Sequence, residues 1–243
     1  MPLHFVVDAA ANARIDDSVV LTGAEAHHAA VVRRVRVGEQ VTLGDGRGAW
    51  LSAACEQVAP TEVTVRVTAR RDVPAASPRI LLAQALAKGD RDELAVQAAT
   101  ELGVDEIVPW QAARSVSRWE GAKQAKGRAR WQTIAREAAK QAHRAWIPGV
   151  AEIAPTRALI AAAAASHIVV LEPTGDVRLS GLDVGDGRDI LLVVGPEGGI
   201  SDDELAQFAE AGATIAALGD TVLRTSTAGP AALAVVSMRL GRW

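Results

Sequence analysis

Apolar and β-branched residues alternate with turn residues through the first part of the chain. In residues 31–67, valine-rich runs are separated by Gly38-Glu39, Gly44-Asp45-Gly46 and Ala59-Pro60-Thr61. Turns at intervals of about ten residues are typical of small antiparallel β-barrels. The pattern therefore predicts such a barrel, in which alternate positions place Arg34 and Arg36 on one face of a strand.

From residue 80 onward the pattern changes to short apolar strands that alternate with helices. It predicts a strand over 80–85, an amphipathic helix over 91–102, and a second strand that begins at Ile107 and stops at Pro109. A longer helix, apolar along one side, is predicted over 123–146. Strands that alternate with helices indicate a parallel α/β sheet.

Three further strands are predicted in the second half of the chain, over 167–171, 190–194 and 214–218. Each one runs into a loop that contains glycine. Because the carboxyl ends of parallel strands meet at one edge of a sheet, we expect these loops to converge on a ligand. The three loops comprise residues 171–175, 195–199 and 218–229.

The break between the two patterns predicts two domains. Residues 70–79 contain two prolines and several small residues, which is typical of a linker. We therefore expect a β-barrel domain over residues 1–73 and an α/β domain over residues 74–243.

Composition excludes several classes of protein. No apolar run reaches the length of about eighteen residues that a membrane span needs, and the first ten residues lack the pattern of a signal peptide. Cys55 is the only cysteine, which excludes an internal disulfide framework and a cysteine-rich metal site. His27 and His28 have no third ligand at a recognisable spacing, so we expect no metal. The plain expectation is a cytoplasmic protein without a membrane partner.

Charge is unevenly distributed along a chain whose net charge is only −3. Residues 114–144 carry nine Lys and Arg against two Glu, a local charge of +7. Such a segment is either a surface for a polyanion or a solvated helical face, and charge alone leaves both interpretations open.

The segment GPEGG (195–199), between a strand and a helix, raises the question of a phosphate site. It is followed by Ser201-Asp-Asp-Glu204, which fits a helix capping box. The protein's own carboxylates would then occupy the helix start and repel phosphates. No Walker or GxGxxG motif occurs in this region. A cofactor with adenine and a sulfonium cation in place of phosphates, S-adenosylmethionine, fits better, although GPEGG can also be a simple turn.

Several motifs resemble those of one family. VVGPEGGISDDE (193–204) followed by LGDTVLRTSTAG (218–229) resembles the signature of the RsmE-type family, SPOUT-class methyltransferases that make 3-methyluridine in bacterial small-subunit ribosomal RNA. The segments 27–39, 88–109 and 130–148 are similar to other motifs of that family. The resemblance covers essentially the whole chain, in order.

The resemblance implies a fold and a set of partners. These are a PUA-like β-barrel, then a SPOUT α/β domain with a C-terminal deep trefoil knot, S-adenosylmethionine as cofactor, 16S ribosomal RNA or the small subunit as substrate, and a homodimer. One departure stands out: Ser226 replaces a glutamate of the family motif, so no role of that carboxylate carries over.

The resemblance also implies the residues of the site. Arg224 is expected to stabilise a uracil anion, the alternative being a structural arginine that caps carbonyls of its loop. Glu197 either accepts the N3 proton or holds an arginine or backbone amides in place. Arg33, Arg34, Arg36, Arg114 and Arg144 are expected to contact RNA phosphates, although the first three can also belong to a solvated strand face. The residues expected to line the cofactor pocket are Leu171, Glu172, Pro173, Val194, Gly195, Pro196, Gly198, Gly199, Leu218, Gly219, Leu223, Arg224 and Thr225.

The predicted function is therefore methylation of N3 of a uridine in 16S ribosomal RNA. Two alternatives stay open at this point, a SPOUT enzyme that acts on another RNA position and a catalytically silent RNA-binding protein. A Rossmann-type enzyme is disfavoured by the acidic helix start and would instead bind NAD or ATP.

Overall fold

A computed structural model describes residues 2–184 and 186–243 of the chain. The chain divides into two compact units. The N-terminal unit contains the residues up to Ala75 together with Ala139–Ile147, and the C-terminal unit contains Ala76–Ala138 and Pro148–Trp243. The sequence pattern places the division after residue 73 but gives no indication that 139–147 packs with the N-terminal residues.

The N-terminal unit is built on one five-stranded sheet. Its strands are β1 (Leu3–Val6), β2 (Ser18–Thr22), β3 (Gln40–Gly44), β4 (Ala49–Ala59) and β5 (Glu62–Asp72), in the order β1-β3-β4-β5-β2.

Pairing in this sheet is mixed: the antiparallel pairing predicted from residues 31–67 is confirmed for β3, β4 and β5, and β1 departs from it. Strand β1 pairs with β3 in parallel, whereas the other pairs are antiparallel. The physical reason is the connection: a parallel pair needs a long crossover, and β2 and a helix lie between β1 and β3 in the chain. Burial alternates along β4, and Leu43, Leu51 and Val65 are fully buried in the core.

The strand predicted around Arg34 and Arg36 is wrong, because residues 23–32 are helical and a loop follows them. Gly23–His27 forms helix α1, His28–Val32 continues it as a π-helical turn, and Arg34 has φ +53°. Alanine is a strong helix former, and Ala26 and Ala29, three positions apart, are both fully buried. The helical period therefore overrides the β-branched valines. Arg33, Arg34 and Arg36 are all exposed, but they lie on a loop and not on a strand face.

Ala139–Ile147 is held by the loop between β3 and β4. The Gly48 amide donates to the Ala145 carbonyl (3.0 Å), and the Trp146 indole donates to the Val73 carbonyl (2.9 Å). Gly48 has φ +110°, and a Cβ there would lie 2.6 Å from the Val73 carbonyl oxygen. These contacts hold residues 142–147 out of helical form, so the predicted helix over 123–146 ends earlier, as α3 (Ala122–Gln141).

The C-terminal unit contains an eight-stranded sheet whose pairings are all parallel. This confirms the predicted parallel α/β architecture. The strand order is β11-β13-β10-β12-β6-β7-β8, with β9 also paired to β7. The strands are β6 (Ile80–Ala85), β7 (Glu106–Gln111), β8 (Gly149–Val150), β9 (Ala154–Pro155), β10 (Ser166–Leu171), β11 (Val177–Arg178), β12 (Asp189–Val194) and β13 (Thr214–Ala217).

Strand β7 continues past Pro109, where the sequence predicts a stop. Strand β8 pairs with Glu106 and Ile107, and β9 pairs with Trp110 and Gln111. Pro109 falls between these two pairings. It therefore interrupts neither, and the missing amide is tolerated.

Four more helices accompany the sheet, and the order of the strands fixes where its loops meet. The helices are α2 (Arg91–Glu101), α4 (Thr156–Ala161), α5 (Asp202–Glu210) and α6 (Thr225–Arg239). Strand β10 lies between β12 and β13, so the carboxyl ends of these three strands are neighbours.

None of the helices in the described ranges combines the length and hydropathy that a membrane crossing requires.

Candidate functional site

A cavity of about 420 Å³ lies in the C-terminal unit at the carboxyl ends of β10, β12 and β13. Every residue expected to line the cofactor pocket borders it except Gly198, beside which the Arg114 side chain lies. Glu197 also lines it. The wall residues that the sequence did not indicate are Arg91, Ile200, Ala216, Thr221, Val222 and Ala228.

Glycines allow the chain to fold tightly at this wall. Gly199 has φ +72°, a conformation that residues with a side chain rarely adopt. At Gly195, a Cβ would lie 2.7 Å from Cγ1 of Ile200, so a side chain there would force the loop apart. The glycines of this loop therefore lie at the wall together with the apolar side chains of Leu171, Leu218 and Leu223.

The predicted capping box at the start of α5 is confirmed. The Glu204 amide donates to the Ser201 hydroxyl, and the Glu204 carboxylate accepts from the Ser201 amide. The same carboxylate accepts from the Ala113 amide (2.9 Å) and the Thr156 hydroxyl (2.8 Å). Burial raises the pKa of Glu204, but these hydrogen bonds outweigh it and hold the pKa below its usual value. The helix start thus already carries a buried negative charge, which disfavours a phosphate.

Glu197 holds an arginine and a backbone amide. Its carboxylate accepts from the Lys88 amide (3.0 Å) and from the Arg91 guanidinium (2.8 Å). Burial raises the pKa of Glu197, yet the hydrogen bonds from backbone amides and Arg91 bring it below its usual value. A carboxylate of lowered pKa is a weak base, so this geometry favours the second of its two predicted roles.

Arg224 lies at the wall of the cavity, at the N-cap of α6. Its side chain is exposed, and among the residues that the structure describes its guanidinium makes no hydrogen bond or ion pair. An arginine that only capped loop carbonyls would be bonded to them. The five donors of this guanidinium are instead available to a molecule in the cavity.

The arginines expected to contact RNA lie in both units. Arg33, Arg34, Arg36 and Arg144 belong to the N-terminal unit, and Arg114 belongs to the C-terminal unit. The Arg114 guanidinium donates to the carbonyl of Ile200 (3.1 Å) and is 3.7 Å from the Asp202 carboxylate. Arg114 therefore braces the GPEGG loop, while the RNA contact expected of it stays a prediction.

Two residues near the site, Arg91 and Gln84, were not predicted from the sequence. Arg91 follows the KGD turn at the start of α2 and resembles any solvated helix charge until its pairing with Glu197 is known. Gln84 is a polar residue in the apolar run ILLAQA and is fully buried. A polar residue at a core position of a strand is the pattern that could have singled it out.

Within the described residues, no group of three or more His, Cys, Asp or Glu side chains is placed to hold a metal ion.

Comparison with known proteins gives one consistent result. Residues 75–237 match the model of the RNA methyltransferase domain, and residues 21–68 match that of the RNA methyltransferase PUA domain. The chain is 43% identical to ribosomal RNA small subunit methyltransferase E of Mycobacterium bovis over 92% of this chain and 87% of that protein. It is 31% identical to the Bacillus subtilis protein of the same name, over 89% and 88%. A crystal structure of that methyltransferase from Neisseria gonorrhoeae, bound to S-adenosyl methionine, superimposes with a TM-score of 0.88 at 29% identity, covering 98% of each chain.

Proposed function

The chain belongs to the ribosomal RNA small subunit methyltransferase E family, and on that premise we propose that it transfers a methyl group from S-adenosylmethionine to N3 of a uridine in 16S ribosomal RNA. The observation that carries this proposal is the guanidinium of Arg224, which has no partner among the described residues and lies at the wall of the cavity between three glycine-bearing loops.

The residues around the cavity fit S-adenosylmethionine. Leucine side chains offer apolar surface for an adenine ring, and main-chain groups of the 195–199 loop can hydrogen-bond to its edge. The acidic start of α5 opposes phosphates and tolerates a cation. A methyl group on a sulfonium is the reactive group that this cofactor supplies when it is bound.

The chain's own contribution is orientation and electrostatic stabilisation. Uracil N3 carries a proton at neutral pH, and its loss leaves negative charge on the ring oxygens. Arg224 can donate hydrogen bonds to such an oxygen, and fixed donors of this kind contribute about 10²–10³ in rate. Glu197 keeps Arg91 and the Lys88 amide in place. No residue is assigned as general base.

The finer features of the fold also belong to this proposal. We infer that the N-terminal sheet is the PUA-like barrel of residues 1–73 and that residues 74–243 form a SPOUT domain with a C-terminal trefoil knot. The position of β10 between β12 and β13 is compatible with that threading. A homodimer is supported by Val222, Met238 and Trp243, whose side chains are large, apolar and exposed. The enzyme is expected to act in the cytoplasm.

RNA binding is assigned to the arginines named above. Arg33, Arg34 and Arg36 are exposed on one short loop of the N-terminal unit, where they can contact successive phosphates. The basic segment 114–144 adds further positive charge.

The direct test is methyl transfer from labelled S-adenosylmethionine to small subunits that lack the modification. We expect label in 16S ribosomal RNA, recovered as 3-methyluridine after digestion to nucleosides. Label in another nucleoside would indicate a different target position. Binding of RNA with no transfer would support the catalytically silent alternative, for which Ser226 leaves room.

A further inference from the structure

Gln84 carries a buried amide near the end of the otherwise apolar strand β6. It is fully buried, as are its neighbours Ala83 and Ala85 in β6. An amide in such surroundings destabilises the fold unless it is hydrogen-bonded, whereas a methionine of similar length would not. Its presence therefore calls for a physical explanation.

The amide nitrogen of Gln84 begins a short chain of hydrogen bonds. Its Nε2 donates to Oγ1 of Thr225 (2.9 Å), and the Thr225 hydroxyl donates to the carbonyl oxygen of Gly195 (2.7 Å). The direction is fixed, because an amide nitrogen can only donate and a carbonyl oxygen can only accept. Three elements are joined in this way: the end of β6, the loop after β12 and the first turn of α6.

The hydrogen bond from Thr225 to Gly195 determines the orientation of the backbone at the start of the 195–199 loop. Residue 196 is proline, so the peptide between Gly195 and Pro196 has no N–H, and its carbonyl is the only group through which a hydrogen bond can orient it. Thr225 supplies that bond. Gly195 and Thr225 both line the cavity, but Gln84 does not.

The remaining oxygen of Gln84 shows which half of the amide matters. Oε1 is buried and has no hydrogen-bond partner among the described residues. The side chain thus leaves an acceptor unsatisfied in order to place a donor on Thr225. A group that served only to fill the core would not carry that cost.

We propose that Gln84 is a positioning residue that, by donating to Thr225, fixes the Gly195 carbonyl at the cavity wall and thereby sets the affinity for the methyl donor. The inference rests on the proposed function, because the ligand is the S-adenosylmethionine assigned there. Gln84 itself does not contact the ligand and acts through Thr225.

The test is a double-mutant cycle on the purified full chain, read out by calorimetric titration with S-adenosylhomocysteine well below the melting temperature. Gln84→Met and Thr225→Val should each weaken binding about tenfold, the equivalent of one lost hydrogen bond. Because the two residues act in series, the double variant should bind about as weakly as either single one. Thr225→Ser keeps the hydroxyl and should weaken binding less than Thr225→Val does.

Two further readouts separate positioning from a loss of stability. Thr100→Val removes another fully buried threonine hydroxyl, bonded within α2 to the Val96 carbonyl, and should leave the affinity unchanged. In single-substrate kinetics, Gln84→Met should raise KM for the methyl donor with kcat preserved, as expected for lost uniform binding.

The outcomes distinguish the two levels of the argument. Wild-type binding together with unchanged affinity in Gln84→Met and Thr225→Val, or additive losses in the double variant, would overturn the positioning role alone. A wild-type chain that bound no S-adenosylhomocysteine and transferred no methyl group would overturn the proposed function and this inference with it.

Discussion

At the scale of single residues, Arg224 is the side chain on which the chemistry depends most. Its guanidinium is exposed at the cavity wall and makes no bond to the described part of the chain. Arg224→Gln should therefore cost little stability and lower kcat about 10²–10³-fold, with the affinity for S-adenosylhomocysteine nearly unchanged. Single-turnover methylation of small subunits measures the first effect and calorimetric titration the second.

A matched control for this substitution is Arg188→Gln, which removes an exposed arginine that pairs with the nearby Asp186 and lies outside the cavity wall. It should methylate at the wild-type rate. Equal activity of Arg224→Gln and Arg188→Gln would exclude an electrostatic role for Arg224.

Gly219 tests whether the cavity is where the cofactor binds. It lines the cavity, and a Cβ placed on it meets no atom within 4 Å. Gly219→Val should therefore leave the melting temperature unchanged while it fills space that the ligand needs. Steric overlap of this kind costs about 1–3 kcal/mol, so we expect binding of S-adenosylhomocysteine to weaken about tenfold or more.

Gly181→Val is the control, because Gly181 is exposed, also has open space around its Cβ position and lies outside the cavity wall. If both variants bound S-adenosylhomocysteine as tightly as the wild type, the ligand would have to bind elsewhere.

At the scale of elements, the start of α5 is stabilised by its capping box. Ser201→Ala removes the acceptor of the Glu204 amide. The loss of such a cap costs about 1 kcal/mol, which lowers the melting temperature by about 2–4 °C in a chain of this size. Calorimetric unfolding measures the shift. Asp203→Ala, a change in the same turn at an exposed position, should shift it less, and equal shifts would argue against the cap.

The start of α2 should respond to pH through Asp92. This carboxyl is buried and accepts from the amides of Ala87 (3.1 Å) and Glu93 (2.8 Å), and burial raises its pKa to about 6. The folded protein thus binds a proton more tightly than the unfolded chain. The resulting stabilisation is complete below about pH 4 and is lost as the pH rises through 6.

We expect the wild type to lose about 2 kcal/mol relative to Asp92→Asn between pH 4 and pH 7, which is most of the free energy that corresponds to a shift of about two pKa units. Urea unfolding of both proteins at several pH values measures this difference. A difference that stayed constant across the range would mean that the Asp92 pKa is not raised.

The elements also show what the sequence pattern could and could not determine. Strands β6, β10 and β12 follow from their apolar runs, because both faces of a parallel sheet are buried. The structure of the segment around Arg34 did not follow from its valines, because the valines before it complete a helical turn that begins in an alanine-rich stretch. The end of α3 depends on contacts with a loop almost a hundred residues earlier, which no local pattern contains.

The position of the cavity was easier to predict from the sequence than the hydrogen bond from Gln84 to Thr225 behind its wall. Glycine-bearing loops at adjacent strand ends predict a cavity, and the strand order brings those loops together. The bond from Gln84 to Thr225 joins positions 141 residues apart in the sequence. Only the fold places such a pair in contact, so the positioning residues could not be deduced from spacing.

At the scale of the whole molecule, the two units divide the task in the proposed enzyme. The C-terminal unit contains the cavity and Arg224, and the N-terminal unit contributes the exposed arginines of the 33–36 loop. The central claim concerns the first of these: the cavity holds an adenosine-bearing methyl donor and excludes cofactors with phosphates, because the helix start beside it already carries carboxylates.

The most direct measurement is calorimetric titration of the purified chain with S-adenosylhomocysteine, ATP and NAD in parallel. Occupation of the cavity by a methyl donor predicts one site for S-adenosylhomocysteine per chain, weakened in Gly219→Val, and no binding of ATP or NAD. Binding of ATP or NAD in place of S-adenosylhomocysteine would contradict it.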